Sequence, residues 1–358
     1  MSLVPEISVY FRTKAASIIE RSERGNVLII IRDEGYSDIG TKKYTSLSEF
    51  LTDQALYTTA NVTAIKDAFY YNPYAVYIIA IDDDDALSVA LAQIEGLVKT
   101  AWITVAGITT ADSTALAAWI LAKETAKKSY KGVVYNNTAN CKHVVNFVNT
   151  AVEWADGRTA AASTYTPSLA AILATCNIRR GATNFACTNL KSVTEPANVT
   201  TAINAGGLVL INDEDSVVRI AAGVNSLTTL STGETEDLKL IEVIEGMDMI
   251  YEDIVHAFRT EWMGEDKNSV GNQYAFIAEV NAYFDNLVIE GLLNEAVENS
   301  CDIDVVAQRA AWQAAGTDTS SWSDDEVKDH PYKRTMFLTG TISMLQSIES
   351  LIFGITLS

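Results

Sequence analysis

Four consecutive carboxylates, Asp82-Asp83-Asp84-Asp85, follow directly on the apolar run Ala75–Ile81. An acidic patch at the carboxyl end of a buried strand is where α/β enzymes seat Mg²⁺ and a phosphorylated substrate. The companion of such a site is missing, because no G-x-x-x-x-G-K-[ST] cradle for phosphate occurs in the chain. Calcium-loop spacing fails as well, since Ala86 or Leu87 would occupy the third ligand position. The simpler reading is a helix N-cap and acidic first turn facing the helix dipole. The histidines His143, His256 and His330 lie far apart, and none sits in an H-E-x-x-H frame. His256 adjoins an apolar helical stripe and reads as a packed or surface residue. No G-x-S-x-G elbow occurs, and Gly206-Gly207 lacks the third glycine of a dinucleotide fingerprint. Cys141, Cys176, Cys187 and Cys301 form no C-x-x-C pair and read as buried thiols, neither disulfides nor zinc ligands. Asp213-Glu214-Asp215 reads as a solvated turn, and Trp312 and Trp322 as packing residues around a polar loop. The expectation is therefore no catalytic residue, no metal and no cofactor.

The 358-residue chain is long enough for two or three domains, and 48% of it is hydrophobic, enough for sizeable cores. It carries 26 Lys+Arg against 46 Asp+Glu, a net charge of −20. Such a chain repels phosphate backbones and anionic lipid, which excludes general nucleic-acid binding and polybasic membrane docking. No apolar run approaches a membrane span, and residues 1–6 lack the basic and apolar regions of a signal peptide. A soluble protein made in the cytoplasm is expected.

Short β-branched runs at 27–31, 75–81, 101–105 and 132–135 read as strands. Helical stripes run between them. Ser46-Leu47-Ser48-Glu49 forms a capping box whose helix continues through Val62, Ile65 and Phe69 to Asn72-Pro73. Leu87, Leu91, Ile94 and Val98 predict a helix over 87–98, and 113–129 another. This alternation predicts an α/β body with a mostly parallel or mixed sheet flanked by helices. Residues 136–206 carry helical signals at 168–174 and 198–204 and a β-like run at 183–193, and read as an inserted small α+β domain. Strand-like runs 208–211 and 217–220 follow. The stripe Leu240, Ile244, Met247, Tyr251, Ile254, Phe258 and Trp262 predicts a helix, although Gly246 leaves open a strand over 238–245. Residues 277–291 and 302–315 predict two further helices, with extended segments at 335–339 and 347–357. The C-terminal domain is thus helix-rich α+β.

Both ends of the chain behave unlike ordinary termini, which are polar and frayed. Ile7, Val9 and Phe11 alternate with Glu6, Ser8, Tyr10 and Arg12. Leu351, Phe353, Ile355 and Leu357 alternate with Ile352, Gly354, Thr356 and Ser358. Each is a strand-length segment with an apolar face and no obvious local partner, which suits strand donation to another sheet. The hydrogen bonds and apolar burial of one such strand roughly offset the entropy of ordering it. A lone subunit can therefore stay single, while a ring that engages several arms together gains by avidity.

Several long stretches then resemble one family, the sheath proteins of contractile phage tails and R-type bacteriocins, particularly the Gram-positive prophage type. The stretches are 5–31 (PEISVYFRTKAASIIERSERGNVLIII), 208–227 (LVLINDEDSVVRIAAGVNSL), 246–262 (GMDMIYEDIVHAFRTEW), 281–293 (NAYFDNLVIEGLL) and 337–357 (FLTGTISMLQSIESLIFGITL). The resemblance implies a non-enzymatic structural subunit that polymerises as stacked hexameric rings around an inner tube and contracts to drive the tube through a target cell envelope. It implies terminal arms that add strands to neighbouring subunits. The implied partners are further copies of the chain, the inner tail tube protein, and baseplate and tail terminator proteins. The implied location is the host bacterial cytoplasm during assembly and an extracellular tail or bacteriocin particle afterwards.

On this reading residues 1–20 are an N-terminal arm, 21–135 the α/β body, 136–206 the inserted domain, 207–345 the sheath core domain and 346–358 the C-terminal arm. Ile7, Val9, Phe11, Leu351, Phe353, Ile355 and Leu357 are the linking residues. The basic residues Lys328, Lys333 and Arg334, with Arg179 and Arg180 in the insertion, are candidate contacts to the tube or to neighbours in a chain that otherwise repels itself. The alternative is an α/β enzyme using the Asp82–Asp85 edge with Mg²⁺ on a phosphorylated substrate.

Overall fold

The computed structural model describes residues 24–176 and 180–353. The described chain divides into two compact units, 24–248 with 346–353, and 249–345. The larger unit opens with β1 (Asn26–Arg32), α1 (Tyr36–Ile39), β2 (Thr41–Tyr44), α2 (Leu47–Asp53), α3 (Thr59–Phe69) and β3 (Ala75–Ile81). It continues through α4 (Ser88–Leu91), β4 (Trp102–Val105), α5 (Thr110–Thr125), β5 (Lys131–Tyr135) and β6 (Val144–Phe147). Then come β7 (Ala151–Trp154), β8 (Thr159–Ala161), α6 (Thr166–Thr175), β9 (Leu190–Val193), α7 (Val199–Asn204), β10 (Gly207–Leu208), β11 (Leu210–Asn212) and β12 (Val218–Ile220).

Seven strands form one sheet in the order β10-β6-β5-β4-β1-β3-β2, parallel except for the antiparallel edge strand β2. Strands covered on both faces need no polar alternation. Accordingly Val27, Ile29 and Ile31 of β1 enter one core beside Ile65 of α3 and Leu169 of α6. Leu28 and Ile30 enter the other, beside Leu116 and Ile120 of α5. Strand β2 carries Lys42 and Lys43 at the sheet edge, a device that discourages edge pairing. At the other end the chain enters β10 through Gly206, at φ 79°, and Gly207, where a Cβ would lie 2.9 Å from the Ala202 carbonyl oxygen. Strands β8, β7 and β9 form a separate three-stranded sheet, and β11 and β12 a hairpin.

Several expectations need correction. The helix from Ser46 to Phe69 is two helices. Ser46 does cap α2 by accepting from Glu49 N, but the Glu49 carboxylate reaches back to Thr45 N rather than to Ser46. Asp33 then breaks the run: its carboxylate accepts from Thr58 N (2.8 Å), Thr58 Oγ1 (2.9 Å), Asn61 Nδ2 (2.8 Å) and Gly35 N (3.0 Å). Thr58 is thereby held extended, and α3 must start afresh. The helix over 87–98 is only α4 and a 3₁₀ turn at Ile94–Gly96, although Leu87, Leu91, Ile94 and Val98 are all buried as the stripe requires. Gly96 is a poor helix former. In the run 183–193 only β9 is a strand. Residues 238–245 are not a strand, because α8 (Ile241–Ala257) is continuous through Gly246 and ends in a π turn at Phe258–Trp262.

Beyond Asp248 the chain forms the smaller unit: the rest of α8, α9 (Val270–Ile289), β13 (Ser300–Ile303), α10 (Val305–Ala314), α11 (Asp324–Lys328) and β14 (Leu338–Thr341). Ile277, Val280, Phe284 and Leu287 of α9 are buried. The Tyr283 hydroxyl donates to Asp253 at 2.8 Å, and Trp262 Nε1 to Glu279 at 2.9 Å. The helix expected at 302–315 starts later, at Val305. Asp302 belongs to β13, and Asp304 is the cap, accepting from Ala307 N at 2.8 Å. The extended segment at 335–339 is β14, shifted to 338–341.

Burial pushes the Asp33 carboxyl up, but its four hydrogen bonds outweigh that and hold it below the usual aspartate value. Its contribution is therefore present above pH 3.8 and fades as pH falls through the lowered value. Asp33→Ala should cost roughly 2–4 kcal/mol at neutral pH, read as a lower urea midpoint.

Candidate assembly site

The acidic run does not form a metal site. Asp82–Asp85 follow β3, with Asp83 and Asp84 exposed. Asp82 Oδ1 accepts from Asp84 N and Asp85 Oδ2 from Asp82 N, both at 3.3 Å. The run shapes a turn rather than capping a helix, for the N-cap of α4 is Leu87. Among the described residues no three His, Cys, Asp or Glu side chains are arranged to hold a metal ion. The cysteines are free thiols, three of them buried. His256 is exposed, and Asp213 Oδ1 closes the turn between β11 and β12 by accepting from Asp215 N and Val217 N. Trp312 and Trp322 pack edge to face at 6.2 Å, and the His330 ring stacks on Trp322 at 4.4 Å.

The smaller unit holds a different kind of site, a strand edge. β13 and β14 form a sheet of two antiparallel strands, which is marginal without further cover. The outer edge of β13 is occupied. Asn281 of α9 accepts from Cys301 N (2.7 Å) and donates to Cys301 O (3.2 Å), and Asp302 Oδ1 accepts from Ile303 N (2.7 Å). Cys301 faces away from β14, so its register partner Gly340 turns its own N–H and C=O to the far side. Leu338 does the same, and among the described residues nothing pairs with either. Gly340 and Thr341 are exposed. Among the described residues the far side of β14 is an open edge.

After β14 the chain pairs through Ser343, Met344 and Leu345 with residues 292–294, and just beyond them it is clasped once more. Within the larger unit, Ser347 N and Oγ donate to the two carboxylate oxygens of Glu242, at 2.9 and 2.6 Å. Gln346 Nε2 donates to Asp237 Oδ1 at 2.7 Å, and Gly181 N to Ser347 Oγ at 3.2 Å. Beyond this clasp Ile348, Leu351, Ile352 and Phe353 are 96%, 86%, 99% and 75% exposed. Residues 348–353 have no strand partner among the described residues. Ile7, Val9, Phe11, Ile355 and Leu357 lie outside the described residues, as does Arg179.

The basic residues differ in availability. Lys328 is tied to Asp302 at 2.5 Å, Arg180 covers the Phe185 ring at 4.7 Å, and Lys333 and Arg334 are exposed, Lys333 over the Tyr332 ring. Sequence reasoning missed the Ser347–Glu242 clasp, for nothing local marks two residues 105 apart as partners.

Residues 234–357 match the family described as phage tail sheath C-terminal domain, which includes β13, β14 and the exposed tail. The tail sheath protein of Clostridium phage phiCD119 is 23% identical over 356 residues, covering 98% of each chain. The helical sheath of the anti-feeding prophage in its contracted state has the same fold, with a TM-score of 0.71, 15% identity and 99% of both chains covered. The crystal structure of a sheath tail protein from Desulfitobacterium hafniense matches with a TM-score of 0.69 and 14% identity, over 84% of this chain and 94% of its own. Its last third thus matches the phage tail sheath C-terminal domain, and nearly its whole length is similar to a tail sheath protein and shares the fold of contractile sheath subunits.

Proposed function

We propose that this structural subunit of a contractile sheath links to its neighbours by strand donation, the open edge of β14 receiving an apolar arm from another copy. The observation that carries this is the coexistence, in one chain, of a strand edge unpaired among the described residues and an exposed apolar tail. A tail bearing Ile348, Leu351, Ile352 and Phe353 in water is unfavourable for a free monomer, and each would gain roughly 1.5–3 kcal/mol on full burial. An added strand would supply backbone partners for Leu338 and Gly340 and cover the marginal two-stranded sheet. Ile7, Val9 and Phe11 at the other end are proposed to serve in the same way.

The working object is then a polymer of rings around an inner tube, attached to a baseplate and closed by a terminator. Arms keep the rings joined while the bodies reorient, and contraction drives the tube through a cell envelope. Assembly in a bacterial cytoplasm precedes release as an extracellular particle. The role is mechanical rather than catalytic, in keeping with relatives named as sheath proteins. The alternative of a Mg²⁺-dependent enzyme has no support, since the Asp82–Asp85 carboxylates hold their own turn. A net charge of −20 per subunit makes side-by-side packing repulsive, and the exposed Lys333 and Arg334 are proposed to meet acidic groups of a neighbour or the tube.

Three outcomes are expected. Removing residues 348–358 should leave a folded monomer by light scattering that forms no striated tubes in negative-stain microscopy; tubes from the truncated chain would defeat arm linkage. Glu242→Ala should unfasten the clasp and speed chymotryptic cleavage in the tail several-fold, whereas an unchanged rate would show that the tail root is held elsewhere. Reversing Lys333 and Arg334 to glutamate should impair assembly while leaving thermal stability intact, and normal assembly would remove them as contacts.

A further inference from the structure

The larger unit also contains a buried charge cluster that fastens the start of α8 and that the sheath reading does not use. His143, 6% exposed, lies just ahead of β6. Its Nδ1 is 2.7 Å from Glu124 Oε2 near the end of α5, and its Nε2 is 3.0 Å from Asp248 Oδ1 in α8. Lys131, at the start of β5, places Nζ 3.1 Å from Glu245 Oε1 and 3.2 Å from Asp248 Oδ2. Arg24, ahead of β1, is 2.8 Å from Glu245 Oε2. Cys141 Sγ donates to Glu124 at 3.1 Å, and Lys142 Nζ lies 4.0 Å from the same carboxylate. Two carboxylates from the first two turns of α8 thus meet cations from β5, from the loop before β6 and from the approach to β1.

Both ring nitrogens of His143 face carboxylate oxygens, which can only accept. A neutral imidazole has one N–H and one lone pair, so it can serve one carboxylate and must turn its lone pair on the other. The imidazolium serves both. We propose that His143 is a proton-dependent lock, fastening the first two turns of α8 to α5 and the sheet while charged and releasing them when its proton is lost.

The surrounding groups agree with this geometry. Burial opposes a charged ring at His143, but the hydrogen bonds to Asp248 and Glu124 prevail over it and over the repulsion from Lys131, raising its pKa. Burial pushes Asp248 up, yet the charge of Lys131 and the bond from His143 bring it to about 2. Glu124 is likewise held below its usual value against burial by His143 and Cys141. The Cys141 thiol, raised to about 12 by burial and by Glu124, remains a donor. A histidine with a raised pKa stabilises the fold fully below its ordinary 6.5, and that contribution is lost as pH climbs through the raised value. The lock therefore opens toward alkali. Asp248 is the last residue of the larger unit before α8 runs on into the smaller one, so the lock decides whether that helix is anchored at its start.

The test uses the whole chain. Exchange of the His143 C2 hydrogen, followed by mass spectrometry, gives its titration midpoint, and backbone amide exchange, corrected for intrinsic pH dependence, reports on residues 241–248. The expected result is a midpoint above 6.5 and a loss of protection at 241–248 of about tenfold per pH unit between 6.5 and that midpoint, levelling off above it, with α6 unaffected. His143→Gln, which cannot be charged, should show weak protection at 241–248 at every pH. A midpoint at or below the ordinary value, or protection that does not fall between 6.5 and the midpoint, overturns the proposal. Should the variant fail to fold, the two measurements on the unaltered protein still decide.

Discussion

Backbone hydrogen-bonding groups on a strand demand partners, and the order of this molecule follows from where that demand is met. In the larger unit six parallel strands and one antiparallel strand satisfy one another, while helices close both faces. In the smaller unit, among the described residues, the demand is met on one side only. Asn281 and Asp302 occupy the far side of β13 with side-chain groups, and no described residue does the same for β14. A strand edge left to water is usually a liability. Under the proposed strand donation it becomes the means of assembly.

The larger unit was legible wherever the chain is buried on both faces. Residues 75–81 could be read as a strand to the residue, because seven apolar positions without alternation admit few other readings. Segments whose conformation is imposed from a distance were not legible. Asp33 divides one expected helix into two by gripping Thr58, and nothing in the local sequence announces that grip. Strand β2, of composition Thr-Lys-Lys-Tyr, escaped notice because a short polar edge strand has no hydrophobic period. At Gly246 the weak helix former suggested a break, but continuous packing of Val243, Ile244, Met249 and Ile250 carried α8 through it.

The site divides the same way. An apolar tail with period-two spacing can be seen in the sequence, since its peculiarity lies in composition. The clasp and the histidine cluster cannot, because they join Glu242 to Ser347 and Glu124 to His143 and Asp248, residues brought together only by folding. Polar side chains at such positions look like ordinary surface until their partners are known.

The two lysines on β2 bear on how copies of the chain could pair. They make the outermost strand of the larger sheet a poor template, and β10 at the opposite margin is only two residues long. If β14 receives an arm as proposed, a subunit with inhospitable margins at β2 and β10 would have few sites for strand pairing, which would favour ordered assembly over indiscriminate association when many copies are crowded together.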